Sequence, residues 1–256
     1  MALGIFGDSY AYHKVDHLET IKFISTLLSW SDYLEINHGV TLTNHGMMGS
    51  SVFYSYSKFL EHHEKYDSVV FISTNSDRIN IPPQYLANVD KKLTCFSAVT
   101  AEMNINSPLK EIRTIASVAI EYYTHLHNEL AYRYFANLMV ADIRRICEKK
   151  NIKLLIIPGF TMSQLGGEEI TSNHHDYETV LGQITYLENT TWGIDDASEI
   201  FKKSIDIRTC HLTDENNKIL ARKIADWLNG NGFNLNVSTD FVKPKLDDMF
   251  KYFIHK

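Results

Sequence analysis

Cysteine is scarce in this chain. Its 256 residues hold three, Cys95, Cys147 and Cys210, and their spacing is not that of a metal site. An odd, sparse set argues against a disulfide scaffold and suits a reducing compartment. Basic runs are missing as well. With a formal net charge of −6 and no Lys/Arg-rich segment, the chain lacks the footprint of non-specific nucleic-acid binding. No apolar run approaches the ~18 residues of a membrane-spanning helix. No basic segment followed by an apolar one opens the chain, so the expected location is cytoplasmic. A virion-associated or injected phage protein is the alternative. There is no internal repeat, no low-complexity segment and no clear domain boundary.

What is present is an ordinary globular composition, 44% hydrophobic, long enough to bury a sizeable core. The chain opens on an apolar run, Ala2 to Phe6, that ends in Gly7-Asp8-Ser9. A buried strand that stops at such a triplet feeds a tight turn, and Ser9 would lie just past the strand's carboxyl end. Open α/β sheets put their ligand sites there. Ser9 is therefore a candidate nucleophile, against the plainer reading of Asp8-Ser9 as a turn or helix cap.

The same rhythm returns twice. Residues 17–34 carry Leu18, Ile21, Ile24, Leu27 and Leu28 at helical spacing. Gly39 to Thr43 is β-like and runs into Asn44-His45-Gly46-Met47-Met48-Gly49-Ser50-Ser51, where Ser50 or Ser51 can cap the next helix. That helix, about 50–64, presents Val52, Phe53, Tyr56, Phe59 and Leu60. Ser68 to Ile72 is a buried-strand run that stops at Ser73-Thr74-Asn75-Ser76-Asp77-Arg78. Strand, polar turn and helix in repetition indicate βαβ units and a parallel sheet.

Residues 79–107 are irregular and long for a connection, which suggests a lid or a substrate wall. Ser107 and Pro108 open the longest helical pattern, with Ser107 as cap and Pro108 in the first turn. From Leu109 to about Lys149 there is no Gly or Pro, and the length suggests a break near Thr124–Asn128. Its aromatics, Tyr122, Tyr123, Tyr132, Tyr134 and Phe135, are expected in the core. Ile152 to Ile157 is the next strand. Residues 159–200 read as loops with short helices. Thr213 caps a helix with Ile219, Leu220, Ile224, Trp227 and Leu228 on its apolar face, stopped by Gly230. The segment 233–256 contains an amphipathic stretch, Leu246, Met249, Phe250 and Phe253, suited to docking on the domain or on another copy of the chain.

A serine hydrolase needs a serine at an exposed turn, a base within hydrogen-bond reach, donors for the oxyanion and preferably a group that orients the base. Ser9 follows the first strand. Gly49 follows the second, where a missing side chain would let a backbone N–H approach substrate. Asn75, with an amide donor, follows the third. His211 stands before the last helix.

These blocks resemble the SGNH, or GDSL-type, hydrolase superfamily, named for Ser, Gly, Asn and His in four sequence blocks. Gly7-Asp8-Ser9 matches the first. Asn44 to Gly49 resembles the second, Val69 to Asn75 the third and His211-Leu212-Thr213 the last, so the resemblance spans residues 4 to about 228. It implies an α/β, three-layer flavodoxin-like fold with about five parallel strands. The domain would cover 1–232, with 79–149 as a helical insertion and 233–256 as a tail. It also implies a serine esterase or carbohydrate O-deacetylase with Ser9 as nucleophile and His211 as base. The N–H groups of Ser9 and Gly49 and the Asn75 amide would form the oxyanion hole. No cofactor or metal is implied. The expected partner is a small or carbohydrate-linked ester, with neither nucleic acid nor membrane, and self-association through the tail is compatible.

Two blocks depart from the family pattern. The third reads Ser73-Thr74-Asn75-Ser76 where the family has Gly-Thr-Asn-Asp. Arg208 stands three residues before His211, where the family has Asp; the nearest upstream acid is Asp206. Three explanations stay open: Asp206 shifted into place, a Ser–His dyad oriented by a backbone carbonyl, or a degenerate site that only binds. The last corresponds to a different class of function, a non-catalytic binding or assembly protein, such as one encoded by a phage. Arg78 and Arg208 are candidates for an anionic substrate group, each with a salt bridge inside the protein as the alternative. His62-His63 and His174-His175 are not chelating pairs, because adjacent side chains diverge, and both are expected on the solvated surface. His13, Asp16 and His17 could reach the site mouth, against a surface role.

Overall fold

The computed structural model describes residues 2–8, 11, 28–47, 49–74, 78–81, 95–158, 212, 214–233 and 240–241. The chain divides into two compact units. The first comprises Met1–Tyr12, Thr43–Ile157 and Gln164–Ser172; the second comprises His13–Leu42, Pro158–Ser163 and Asn173–Lys256.

The first unit is built on a parallel sheet of four strands, β1 Leu3–Phe6, β2 Leu42–Asn44, β3 Ser68–Ser73 and β6 Lys153–Pro158. Their order across the sheet is β2-β1-β3-β6. Strands β1 and β3 pair in parallel from Leu3↔Ser68 to Phe6↔Phe71. Every residue of both strands is buried, as expected of a sheet covered on both faces. Four strands of the expected set of about five thus lie among the described residues.

One face of the sheet contributes Phe6, Val69, Phe71 and Ile156 to a core completed by two helices, α2 Val52–His62 and α5 Glu129–Lys150. Helix α2 supplies Val52 and Phe59, and α5 supplies Ala136, Val140, Ile143 and Cys147. Tyr56 Oη of α2 donates to Asp142 of α5 at 2.8 Å. The expected face of α2 is only partly right. Phe53 and Leu60 are exposed, because at about 100° per residue they sit roughly 80–100° round the helix from Val52. Ser51, rather than Ser50, caps α2, accepting the Tyr54 N–H at 3.1 Å.

A smaller module follows β3. Strands β4 Ile79–Asn80 and β5 Cys95–Phe96 pair antiparallel, Ile79 with Phe96 and Asn80 with Cys95. Helices α3 Ala98–Asn104 and α4 Lys110–His125 close over them. Their core is Ile81, Phe96, Ala101, Ile112, Ala116 and Ala119. The break expected near Thr124–Asn128 falls at Leu126–Asn128, where Asn128 caps α5 by accepting the Ala131 N–H. The start of α4 differs from expectation. It begins at Lys110, capped by no side chain, because Ser107 Oγ instead accepts the Leu109 N–H and Arg113 holds the Ser107 and Pro108 carbonyls. Tyr134 and Phe135, expected in the core, are exposed.

The second unit is described through helices α1 Trp30–His38 and α6 Asp214–Leu228, which pack on one another. The helix expected over 17–34 is corrected here. Leu28 and Ser29 are not helical, and α1 starts at Trp30. Ser29 forms a capping box with Asp32, and Gly39 ends the helix in a left-handed turn. The Trp30 N–H donates to Asn217 Oδ1 at 3.0 Å. Of the expected face of helix α6, Leu220, Ile224, Trp227 and Leu228 are buried and Ile219 is only half-buried; Ala221, outside the expected set, adds to the buried stripe. The tail 233–256 lies outside the described residues apart from Phe233, Asp240 and Phe241.

No helix among the described residues is long and apolar enough to cross a membrane. Phe71 sits at the centre of the sheet with no exposed surface. Phe71→Ala is expected to lower stability by about 3–5 kcal/mol, read as a reduced urea midpoint with an unchanged slope.

Candidate functional site

The sheet order sets the site. From β1 the chain reaches β2 on one side and then crosses to β3 on the other. The carboxyl ends of β1 and β3 are therefore neighbours that lead away in opposite directions, the usual place for a ligand crevice in an open α/β sheet. The described residues that leave each strand there are Gly7 and Asp8 after β1, His45 to Met47 and Gly49 to Ser51 after β2, and Thr74 and Arg78 after β3.

Asp8 has no exposed surface. Its Oδ2 accepts from Thr74 Oγ1 at 2.7 Å and from Arg78 Nη1 at 3.1 Å. The same Arg78 nitrogen donates to the Ser50 carbonyl at 2.9 Å. One carboxylate and one guanidinium thus join all three turns. Removing a carboxylate from water costs several kcal/mol, and a cation plus a hydroxyl donor offset that cost.

Further bonds lock the first two turns together. The Gly7 carbonyl accepts from the Met47 N–H at 3.1 Å and from Ser50 Oγ at 3.3 Å. Asn44 Nδ2 donates to the Ala11 carbonyl, while its Oδ1 accepts the Gly46 N–H at 2.8 Å. The Ala11 N–H donates to the Asp8 carbonyl at 3.0 Å. Packing is close enough to require glycine at position 7, where a Cβ would come within 2.8 Å of both Ala11 Cβ and Ile72 Cβ. Gly49 is exposed and has φ +70°, a backbone state that other residues adopt only with strain. Among the described residues, nothing lies within 4 Å of where its Cβ would be.

Of the catalytic, oxyanion and substrate-binding candidates named from the sequence, Gly49 and Arg78 are described, and both are in the first unit. Arg78 makes the internal salt bridge that was the alternative to its substrate reading. Ser9, Asn75, Asp206, Arg208 and His211 lie outside the described residues, as do His13, Asp16, His17 and the His174-His175 pair. The sequence reading missed Asn44, Ser50, Thr74 and Cys95, whose side chains hold the turns. Only Asn44 carried a local signal, as an Asn two residues before Gly in an Asx turn.

A histidine cluster borders the second turn. The His45 ring stacks on Phe6, with centroids 4.9 Å apart, and on His62 at 4.4 Å. Its Nε2 is 2.6 Å from Tyr66 Oη. His62 and His63 diverge as expected, but neither is merely solvated, since His63 stacks on Phe59 at 5.0 Å. Burial, then the positive charges of His62, Lys65 and Lys58, lower the His45 pKa to about 4, with Glu61 opposing.

No family model matches the chain, and neither a curated protein nor a solved structure does.

Asp8→Asn leaves the Thr74 hydroxyl a partner but strips the charge opposite Arg78. It is expected to cost about 3 kcal/mol, the low end for breaking a buried pair because Arg78 keeps some solvent contact, measured by urea unfolding. His45 gives a pH signature. Its folded pKa lies below the ordinary 6.5, so the unfolded chain takes up the proton first. The stabilisation is complete above pH 6.5 and is lost progressively as pH falls toward 4. His45→Gln keeps a polar partner for Tyr66 and should flatten that part of the stability profile.

Proposed function

We propose that this chain is a serine hydrolase that cleaves a carboxylic ester, small or carbohydrate-linked. Its sheet is read as the core of a three-layer flavodoxin-like domain. The observation that carries this reading is the pairing of buried Asp8 with Thr74 and Arg78, and of Arg78 with the Ser50 carbonyl. These bonds fix Asp8, Ser50 and Thr74, which are next in sequence to Ser9, Gly49 and Asn75. A serine hydrolase requires such fixed geometry, because its oxyanion donors must be aimed before charge develops.

In the proposed reaction, His211 accepts the proton of Ser9 Oγ as that oxygen attacks the acyl carbon. The backbone N–H groups of Ser9 and Gly49 and the Asn75 amide donate to the oxyanion. Each such donor is typically worth about 2.7–4 kcal/mol in the transition state. His211 then protonates the leaving alcohol. Water, deprotonated by His211, releases the acid. Asp8 serves the turn rather than the proton relay, since its carboxylate is engaged by Thr74 and Arg78. Orientation of His211 is assigned either to Asp206 or to a backbone carbonyl.

Steady-state hydrolysis of p-nitrophenyl acetate tests the scheme. Ser9→Ala and His211→Ala should each lower kcat by about 10³-fold or more while the fold is retained. Asp206→Asn separates the two ways of orienting His211: a large loss selects the shifted triad, and unaltered turnover selects the dyad. Absence of turnover by the wild type would favour a binding or assembly role on the same fold.

A further inference from the structure

The small hairpin after β3 has its own relation to the β2–α2 turn. Cys95 Sγ, on β5, donates to the carbonyl of Gly49. Arg78, the residue before β4, donates to the next carbonyl, that of Ser50, at 2.9 Å. Two successive carbonyls of the turn are thus held from one hairpin, whose Asn80 and Cys95 face each other in register. The hairpin is itself fixed from behind. Tyr123 Oη of α4 donates to the Phe96 carbonyl at 2.8 Å and accepts the Ile79 N–H at 3.2 Å, bridging both strands. Phe96 is fully buried in the module's core.

We propose that the β4–β5 hairpin positions the Gly49 N–H, with Cys95, Arg78 and Tyr123 as positioning residues. That this N–H serves an oxyanion rests on the esterase reading; the positioning itself does not. The physical need is plain. Glycine is the residue least able to hold one backbone conformation by itself, yet an oxyanion donor works only when its direction is fixed in advance. At φ +70°, with no side chain and nothing packed on its Cβ side among the described residues, Gly49 lies in a turn closed by the Ser50 N–H on the Met47 carbonyl at 3.1 Å, and the hairpin adds a hold on its own carbonyl and on that of Ser50. Strands β4 and β5, the described paired part of the segment expected to be a lid or substrate wall, would then act as a brace, and a substitution on α4 would be felt at the turn.

The test uses full-length wild type, Cys95→Ala, Cys95→Ser and Tyr123→Phe. Its first readout is the backbone amide order parameter of Gly49 by nitrogen-15 relaxation. Wild type and Cys95→Ser, which keeps a donor, should give about 0.85, and Cys95→Ala and Tyr123→Phe below about 0.6. The second readout is p-nitrophenyl acetate hydrolysis, in which Cys95→Ala and Tyr123→Phe should lower kcat about tenfold or more at unchanged KM, with Cys95→Ser near wild type. An unchanged Gly49 order parameter in Cys95→Ala and Tyr123→Phe overturns the proposal, whatever the activity. A wild type without turnover, but with the predicted order parameters, upholds the positioning and removes only the esterase reading.

Discussion

A carboxylate with no access to water holds the ends of this sheet together. Asp8 is the first polar side chain after β1, and burying it is tolerable only because Thr74 and Arg78 meet it. The arrangement is demanding in both directions. The turn after β3 must stay close enough for a hydroxyl bond of 2.7 Å, and the turn after β2 must offer a carbonyl to the same guanidinium. If any one of the three turns drifts, a charge is left buried with poor compensation. Such a network spends stability on geometry, as expected where a protein needs its loops rigid.

The rest of the first unit reads as support for that geometry. Parallel pairing of β1 and β3 sets their carboxyl ends side by side. Helices α2 and α5 bury one face of the sheet, and the Ser51 cap fixes where α2 leaves the second turn. Gly46 lets that turn lie directly against Ala11, and Gly7 lets the first turn lie against Ile72, closer than a side chain would allow. The β4–β5 hairpin reaches the same turn through Cys95 and Arg78. Local propensity, packing and buried polar bonds therefore act on one small region, which is where function in an α/β sheet is usually found.

Much of this was legible in the sequence, for identifiable reasons. The strands β1, β3 and β6 announce themselves as continuous apolar runs, because both faces of the sheet are buried. The turn chemistry at Gly7-Asp8 and at Asn44 to Ser51 was visible in glycine and small polar residues. The start of α1 was not, since Leu27 and Leu28 continue an earlier periodicity across the Ser29 cap. Phe53 and Leu60 misled by being apolar at the margin of a helical stripe. The partners of Asp8 were hidden for a deeper reason. Thr74 and Arg78 are 66 and 70 residues away in the chain, and no local pattern encodes a bond that exists only once β1 and β3 are paired. The same holds for Cys95 and Gly49.

The central claim is that these fixed turns serve a nucleophilic serine in the Gly7-Asp8-Ser9 block. The most direct measurement is peptide-mapped mass spectrometry of the protein after reaction with a fluorophosphonate. A single covalent adduct on the peptide containing Ser9, prevented by prior denaturation, is the predicted result. No adduct at all, or an adduct on a serine outside the strand-end turns, would contradict the account.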